Sequence, residues 1–435
     1  MSSQTVSTKL QKIATLASYQ PKLILTTLVH YIDVDWLREA FRRTRKSAAA
    51  GIDGKTAEEY AQNLDENLNN LLHRLKAGQY RAPAVRRTYI DKGGGKQRPL
   101  GIPTVEDKVL QRAVVMILET ICEHDFYDCS YGYRPKRNAH QALESLRDQL
   151  FGIKGGYVIQ LDICSFFDEM NHNQLQEMLA TRVRDGVIKR LIGKWLKAGV
   201  MEDSQVTRSE KGARQGCVVS PILANVYLHH VLDKWFHHDV LPRMKGKAFM
   251  MRFADDAVLA FAYREDAERV LEVLPKRFER FSLRLHPEKT KLVDFRQPPY
   301  DETHDYEKLG TFSFLGFEHY WGKSRRGFWV IKPKTQNKRL RNSIRKITDY
   351  CKRNRHEPVE VQQHDLSLKL RGHYSYFGIT GNYRALGKFY NQCEVVWYKW
   401  LSRRNNRGMT WERFKQILMR YPLPTPRIVH SIYRT

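Results

Sequence analysis

The sequence predicts an α+β fold, and three observations predict it. Residues 1 to about 85 read as mostly helical, since Asp65–Lys76 sets Leu68, Leu71, Leu72 and Leu75 at helix spacing. Residues 86 to about 320 mix apolar runs of strand length with amphipathic helical stretches. In residues 321 to 435, Leu386, Phe389, Tyr390, Cys393, Val396, Trp397, Trp400 and Leu401 recur at steps of three and one, which is one wide apolar stripe on a helix. That stripe reads as core, not as a platform for stacking bases. With 435 residues and 42% apolar content the chain can build several buried cores, and no run of 18 uncharged apolar residues offers a membrane span.

Six cysteines without a C-x-x-C pair indicate neither a disulfide framework nor a zinc ribbon. Met1–His30 has lysines but no compact apolar core with a cleavage site. A reducing, cytoplasmic setting is therefore expected, with organellar import as the alternative.

The net charge of +27 comes from 74 Lys+Arg against 47 Asp+Glu. Trp321–Thr435 holds 26 of those bases and only 6 acids, and no acid occurs between Glu318 and Asp349, where ten bases do. Solubility needs only a modest charge of either sign. Charge concentrated in this way reads as a nucleic-acid surface, through neutralised phosphates and released counterions.

Two segments place carboxylates at strand ends. Gly156–Leu161 is an apolar run that ends in Asp162. Downstream, Phe249–Phe253 and Ala257–Phe261 flank Ala254-Asp255-Asp256, which reads as a hairpin with two adjacent acids at its tip. Like charges beside a core repel, and a divalent cation is the simplest relief. Three carboxylates from neighbouring strands are what two-metal nucleotidyl transfer requires. One Mg²⁺ (or Mn²⁺ as a substitute) activates a primer 3′-hydroxyl, and a second holds the triphosphate. The bland alternative is an ordinary Asp-Asp turn and an acid that merely ends a strand.

Tyr89–Leu100 is a strand, a Gly93-Gly94-Gly95 turn and a second strand, with Lys92, Lys96 and Arg98 around the turn. Three cations on a hairpin can close over a triphosphate; solvated lysines on a plain hairpin are the alternative. Gly212–Pro221 contains Gln215-Gly216, where glycine permits close backbone approach to a substrate, and precedes a helix expected over Ile222–Trp235. His229-His230 and His237-His238 lie along that helix without the cysteine or acid pattern that would complete a metal site.

Several of these segments, in one order, resemble the group II intron reverse transcriptase/maturase family. The matching pieces are Ala50–Gly54, Lys96–Pro103, Tyr131–Pro135, Leu161-Asp162 through Asp168, Gln215-Gly216 through Asn225, Phe253–Asp256, Glu288–Thr290, Phe314–Phe317, Leu370–Gly372 and Tyr376-Phe377. Together they cover roughly residues 40 to 435. The resemblance implies a right-hand polymerase. Residues 1–85 would form the N-terminal extension and start of the fingers, residues 86–320 the fingers and a palm with an antiparallel sheet packed on helices, and residues 321–435 a basic α-helical thumb. It implies catalysis and metal ligation by Asp162, Asp255 and Asp256, with Ile163 at the metal, and dNTP contacts from Lys92, Lys96, Arg98, Phe166, Phe167 and Gln215. Phe167 is favoured over Phe166 as the residue that excludes a ribose 2′-hydroxyl. Primer and template contacts are implied for Lys289, Gly51, Gly54, Arg325, Arg326, Lys338, Arg339 and Arg371.

Phe253 stands where the family usually has Tyr, Arg214 where it has Pro, Cys217 follows the Gln-Gly pair, and His373 and Ser375 depart from the thumb pattern. No Cys/His-rich endonuclease module follows, so cutting of a second DNA strand is not expected. The partners implied are an RNA template, intron RNA, a DNA primer or target and dNTPs, in a nucleoprotein and without a membrane. The alternatives are a maturase acting only as an RNA-folding cofactor, or a free-standing relative working in DNA repair or phage defence.

Overall fold

The computed structural model describes residues 2–19, 23–93, 96–202, 205–207, 211–213, 215–299, 310–404 and 408–431, the side chains of 2–4, 91–93, 96 and 206 excepted. Four helices open the chain: α1 (Ser2–Tyr19), α2 (Val34–Arg43), α3 (Ala57–Gln62) and α4 (Leu64–Lys76). Each starts for a local reason where a cap is present. Asp33 accepts from the Trp36 amide at α2, and Thr56 with Glu59 forms a capping box at α3. In α4 the four leucines picked out by spacing are all buried.

A hairpin follows, β1 (Val85–Gly93) and β2 (Lys96–Ile102), then the helices α5 (Val105–Cys122) and α6 (Ala139–Gly152). Fourteen residues of α5 are buried, so it is wrapped by protein all round. Next come β3 (Tyr157–Leu161), the short α7 (Phe166–Glu169), α8 (His172–Ala180), α9 (Gly186–Lys197), β4 (Val200–Glu202) and β5 (Gln205–Thr207). β4 and β5 extend the first hairpin into a sheet of order β2-β1-β4-β5. After α10 (Ser220–Leu228), the strands β6 (Ala248–Phe253) and β7 (Asp256–Phe261), helix α11 (Arg264–Glu279) and β8 (Lys291–Asp294) complete a second, fully antiparallel sheet of order β6-β7-β3-β8.

This second sheet is covered on both sides. Ile159, Leu161, Ala257, Leu259 and Phe261 face the main core with α5 and α10, whereas Val158, Val258, Ala260 and Met251 face a second core built with α6. The alternation follows from the two-residue period of a strand. β9 (Phe312–Phe314), β10 (Phe317–Lys323) and β11 (Trp329–Thr335) form a three-stranded sheet on that second core. Four helices, α12 (Asn337–Arg353), α13 (Val359–Phe377), α14 (Tyr383–Leu401) and α15 (Trp411–Arg420), enclose a third core.

Two expectations are corrected here. The last block is not helical from residue 321, because Phe317–Thr335 is an antiparallel pair in register from Phe317↔Thr335 to Lys323↔Trp329. Its alternating burial (Phe317, His319, Trp321; Trp329, Ile331, Pro333, Thr335) is a strand pattern, and helix begins only at Asn337. The helix expected over Ile222–Trp235 is α-helical only to Leu228 and widens into π turns at His229–Asp233 and Phe236–Val240. Arg277 on α11 donates to the carbonyls of His230 and Val231 at 3.0 and 2.9 Å, taking acceptors the α-helical ladder would use.

Candidate active site

The acid tip is built by strand register. β3 and β7 pair with Leu161 opposite Ala257, so one step further Asp162 stands across from Asp256. β6 and β7 close with Phe253 opposite Asp256, leaving Ala254 and Asp255 as a two-residue turn. Ala254 has φ +56°, a left-handed conformation that glycine ordinarily supplies, so something outside the turn must hold it.

That support is Arg252, fully buried at the end of β6. Its Nη1 donates to Ala254 O and Asn225 Oδ1, both at 3.0 Å, and Nη2 donates to Ser130 Oγ at 2.7 Å. Nε and Nη2 form a fork on Asp233 at 2.7 and 2.6 Å, and Asp233 is fully buried as well. Asn225 Nδ2 in turn donates to Gly132 O at 2.7 Å, and a side chain at Gly132 would collide with the Ala254 amide. Sequence reasoning missed this residue, since an arginine within an apolar strand carries no local sign of its partners.

The acids repel one another. Partial burial, then the charges of Asp255 and Asp162, push Asp256 up to about 6, while Arg339 opposes the shift. Asp256 still reaches solvent, which screens the burial part, and the two like charges secure the direction. Lys289 Nζ lies 3.2 Å from Asp162 Oδ2, and its loop is pinned where the His286 amide donates to Asp162 O at 2.8 Å. Among the described residues no three His, Cys, Asp or Glu side chains form a ready metal cage. Asp162 is paired with Lys289 instead. The donor set nevertheless fits a hard divalent ion: three carboxylates, of which Lys289 balances one, and to which buried Ile163 could add only its backbone carbonyl.

This charge balance predicts a pH-dependent response to metal. With its folded value above the ordinary 3.8, Asp256 contributes stability that is complete below that value and lost as pH rises through about 6. Mg²⁺ offsets the loss, so adding it should raise the melting temperature more at about pH 8 than at about pH 5. Equal shifts at both pH values in scanning calorimetry would remove the three acids as the binding site.

The loop before α10 joins two walls beside the acids. Gly212 N donates to Met170 O at 2.9 Å and Ala213 N to Phe167 O at 2.7 Å, which ties the loop to α7. On the other side Gly101 N donates to Gln215 O at 2.7 Å, and Arg98 Nε donates to Gln215 Oε1. Gly216 has φ +105°, and a side chain there would meet Gly101 O at 2.6 Å, so glycine is required by both conformation and contact. Cys217 fills a small apolar cluster with Val85 and Val200, which accounts for an apolar residue at this position. Phe166 and Phe167 are both buried, their rings 5.3 Å apart. Lys92, Lys96 and Arg214 have side chains outside the described residues.

Tyr133 was read only as part of a motif. The structure brings it beside the acids: φ is +57°, and its hydroxyl is raised by burial and then by Asp255, with Arg98 opposing.

The expected nucleic-acid contacts divide. Lys338 and Arg339 are exposed at the start of α12, and Arg339 is close enough to Asp256 to act on its charge. Arg371 is exposed on α13, and Arg325 and Arg326 are exposed at the β10–β11 tip, the opposite end of that ladder from α12. Gly54 is exposed with φ +69°. Gly51 is buried, and a Cβ there would sit 2.6 Å from Thr104 N and Cα. Packing against the start of α5 requires glycine at that position.

A family model for reverse transcriptase (RNA-dependent DNA polymerase) matches residues 90–319. Protein YkfC of Escherichia coli (strain K12) is 31% identical over 383 residues, covering 79% of this chain and 96% of that relative. The group II intron-encoded protein LtrA of Lactococcus lactis subsp. cremoris is 37% identical over 217 residues, 49% of this chain and 35% of LtrA. Nuclear intron maturase 3, mitochondrial, of Arabidopsis thaliana is 28% identical over 149 residues, 34% of this chain and 20% of its own. The matched part thus spans about a third of LtrA and a fifth of the plant maturase. On these matches the chain belongs to the reverse transcriptase family, and proteins named for group II introns and intron maturation are among its relatives.

Proposed function

We propose that this reverse transcriptase extends a DNA primer along an RNA template by in-line attack of the primer 3′-hydroxyl on a dNTP, with pyrophosphate leaving. The observation that carries the reading is the juxtaposition of Asp162 with the Asp255-Asp256 turn through the β3–β7 and β6–β7 registers. Asp162, Asp255 and Asp256 would hold divalent ions, two Mg²⁺ with Mn²⁺ as a substitute, which supply activation of the 3′-hydroxyl and charge neutralisation at the triphosphate. Lys289, which pairs with Asp162, would meet a primer phosphate beside that carboxylate. Arg98 and Gln215, coupled by their hydrogen bond, present one fork to the incoming nucleotide, and Tyr133 borders the same space. Lys92 and Lys96 extend the same hairpin.

Intron RNA is the second partner, held largely through phosphates by exposed cations such as Arg325, Arg326, Lys338 and Arg371, in support of splicing. The names of LtrA and the plant maturase support that reading.

Primer extension on an RNA template tests the assignment. Wild-type protein should make DNA from dNTPs and little product from rNTPs. Phe167→Val should raise rNTP use by about tenfold, a loss of discrimination of about 1.4 kcal/mol. Unchanged discrimination would remove Phe167 as the sugar gate, and no DNA product from protein that binds RNA would leave only the maturase role.

A further inference from the structure

We propose that the cleft between α8, α9 and the segment 81–84 is a second nucleic-acid site, one that holds the phosphate backbone of an RNA strand while the polymerase site is occupied. The cleft has a volume of about 1130 Å³ and is lined by Arg81, Arg190, Lys194, Lys197 and Lys211, with no acid among the described lining residues. None of the three acids, Arg98, Tyr133, Gln215 or Lys289 lines it.

The cations come from three separate stretches of chain, and the fold makes their wall rigid. α9 buries Ile188, Leu191, Ile192, Trp195 and Leu196, which leaves Arg190, Lys194 and Lys197 at steps of four and three on the cleft side. Trp195 Nε1 donates to Asp107 Oδ1 at 2.8 Å, and Lys194 donates to Tyr80 O, fixing α9 against its neighbours. Lys211 is bridged through its backbone to Asn171 just before α8. Between these rims the lining is small, with Gly193 and Gly199 beside alanines, so a strand can approach closely while its phosphates meet the rim charges.

A basic surface that serves only for solubility is normally interspersed with acids. Helix α2 shows that pattern: Arg38 pairs with Asp35 and Asp65, and Arg42 and Arg43 pair with Glu39. Among the described residues the cleft presents a concave lining with five cations and no acid, which is the arrangement a polyanionic backbone selects. His172 on the cleft wall meets Gly212 O at 2.8 Å, so a strand held there would run next to the segment leading into Gln215.

The test uses the full chain pre-saturated with a primer–template duplex, then titrated with a short fluorescent oligouridylate. Wild type should bind this second RNA. Arg190→Gln/Lys197→Gln should bind it about tenfold more weakly, with the log–log salt slope reduced by about two. Melting temperature, and extension on a template whose 5′ overhang is only a few nucleotides long, should be unchanged. Lys197→Gln alone, at the exposed last turn of α9, should lower the slope by about one and serves if the double variant melts early. Equal oligouridylate affinity in the variants would overturn the proposal. A defect that grows with 5′ overhang length would overturn it too, by making the cleft part of the template track. Displacement of the RNA by polyglutamate at equal concentration would point to an acidic protein partner instead.

Discussion

Asp255→Ala should lower primer extension by at least about 10³-fold, because loss of a metal-holding carboxylate removes about 4 kcal/mol of transition-state stabilisation. RNA affinity should change less than about threefold, since the exposed cations proposed to contact phosphates lie on other elements. The fold should also tolerate the change. Asp255 adds repulsion at Asp256, so removing it lets Asp256 fall back toward the ordinary carboxylate range and relieves strain rather than adding it. Asp255→Asn, nearly the same size, should behave like the alanine variant in extension if charge is what matters. Circular dichroism and RNA binding alongside the extension assay separate a dead site from an unfolded one. Normal extension by Asp255→Ala in Mg²⁺ would end the assignment of this turn as the catalytic centre.

The second large effect is at Arg252. Replacing it by Met leaves Asp233 charged, fully buried and without its fork, and loss of one partner of a buried pair typically destabilises by about 3–5 kcal/mol. It also removes the donors to Ala254 O and Asn225 Oδ1, and with them the hold on a left-handed alanine directly before Asp255. The two consequences can be separated. Arg252→Met/Asp233→Leu exchanges the ion pair for apolar volume and should recover much of the stability, measured by denaturant unfolding. Extension should stay at least about tenfold down, through poorer metal affinity that a higher Mg²⁺ concentration partly restores. A double variant both stable and fully active would show that Arg252 only packs, and that the turn holds itself.

Much of this architecture was legible locally. The leucines of α4 and the stripe of α14 declare themselves by spacing, because a helix face repeats within a few residues. The β6–β7 hairpin was legible for the same reason, as two apolar runs around a two-residue turn. Misreadings occurred where a distant partner overrides the local signal. Basic composition hid a strand pair at Phe317–Thr335 whose buried alternation is satisfied by a core from α6 and the central sheet. An amphipathic pattern ran on past Leu228, where Arg277 captures the carbonyls of the next turn. Gly51 lies in a recognisable motif, and the close approach of the Thr104 backbone is a reason for the glycine that the sequence does not display.

By itself, then, the sequence determined many of the helices, the β6–β7 hairpin with its two acids and the concentration of positive charge, because each of these is written in neighbouring residues. Only the tertiary structure decided that Asp162 faces Asp256, that Lys289 rests on Asp162, that a buried arginine braces the turn and that cations from residues 81, 190–197 and 211 share one cleft. Those relations join residues far apart in the chain. Sheet register and the burial of shared cores set them, and neither has a local signature.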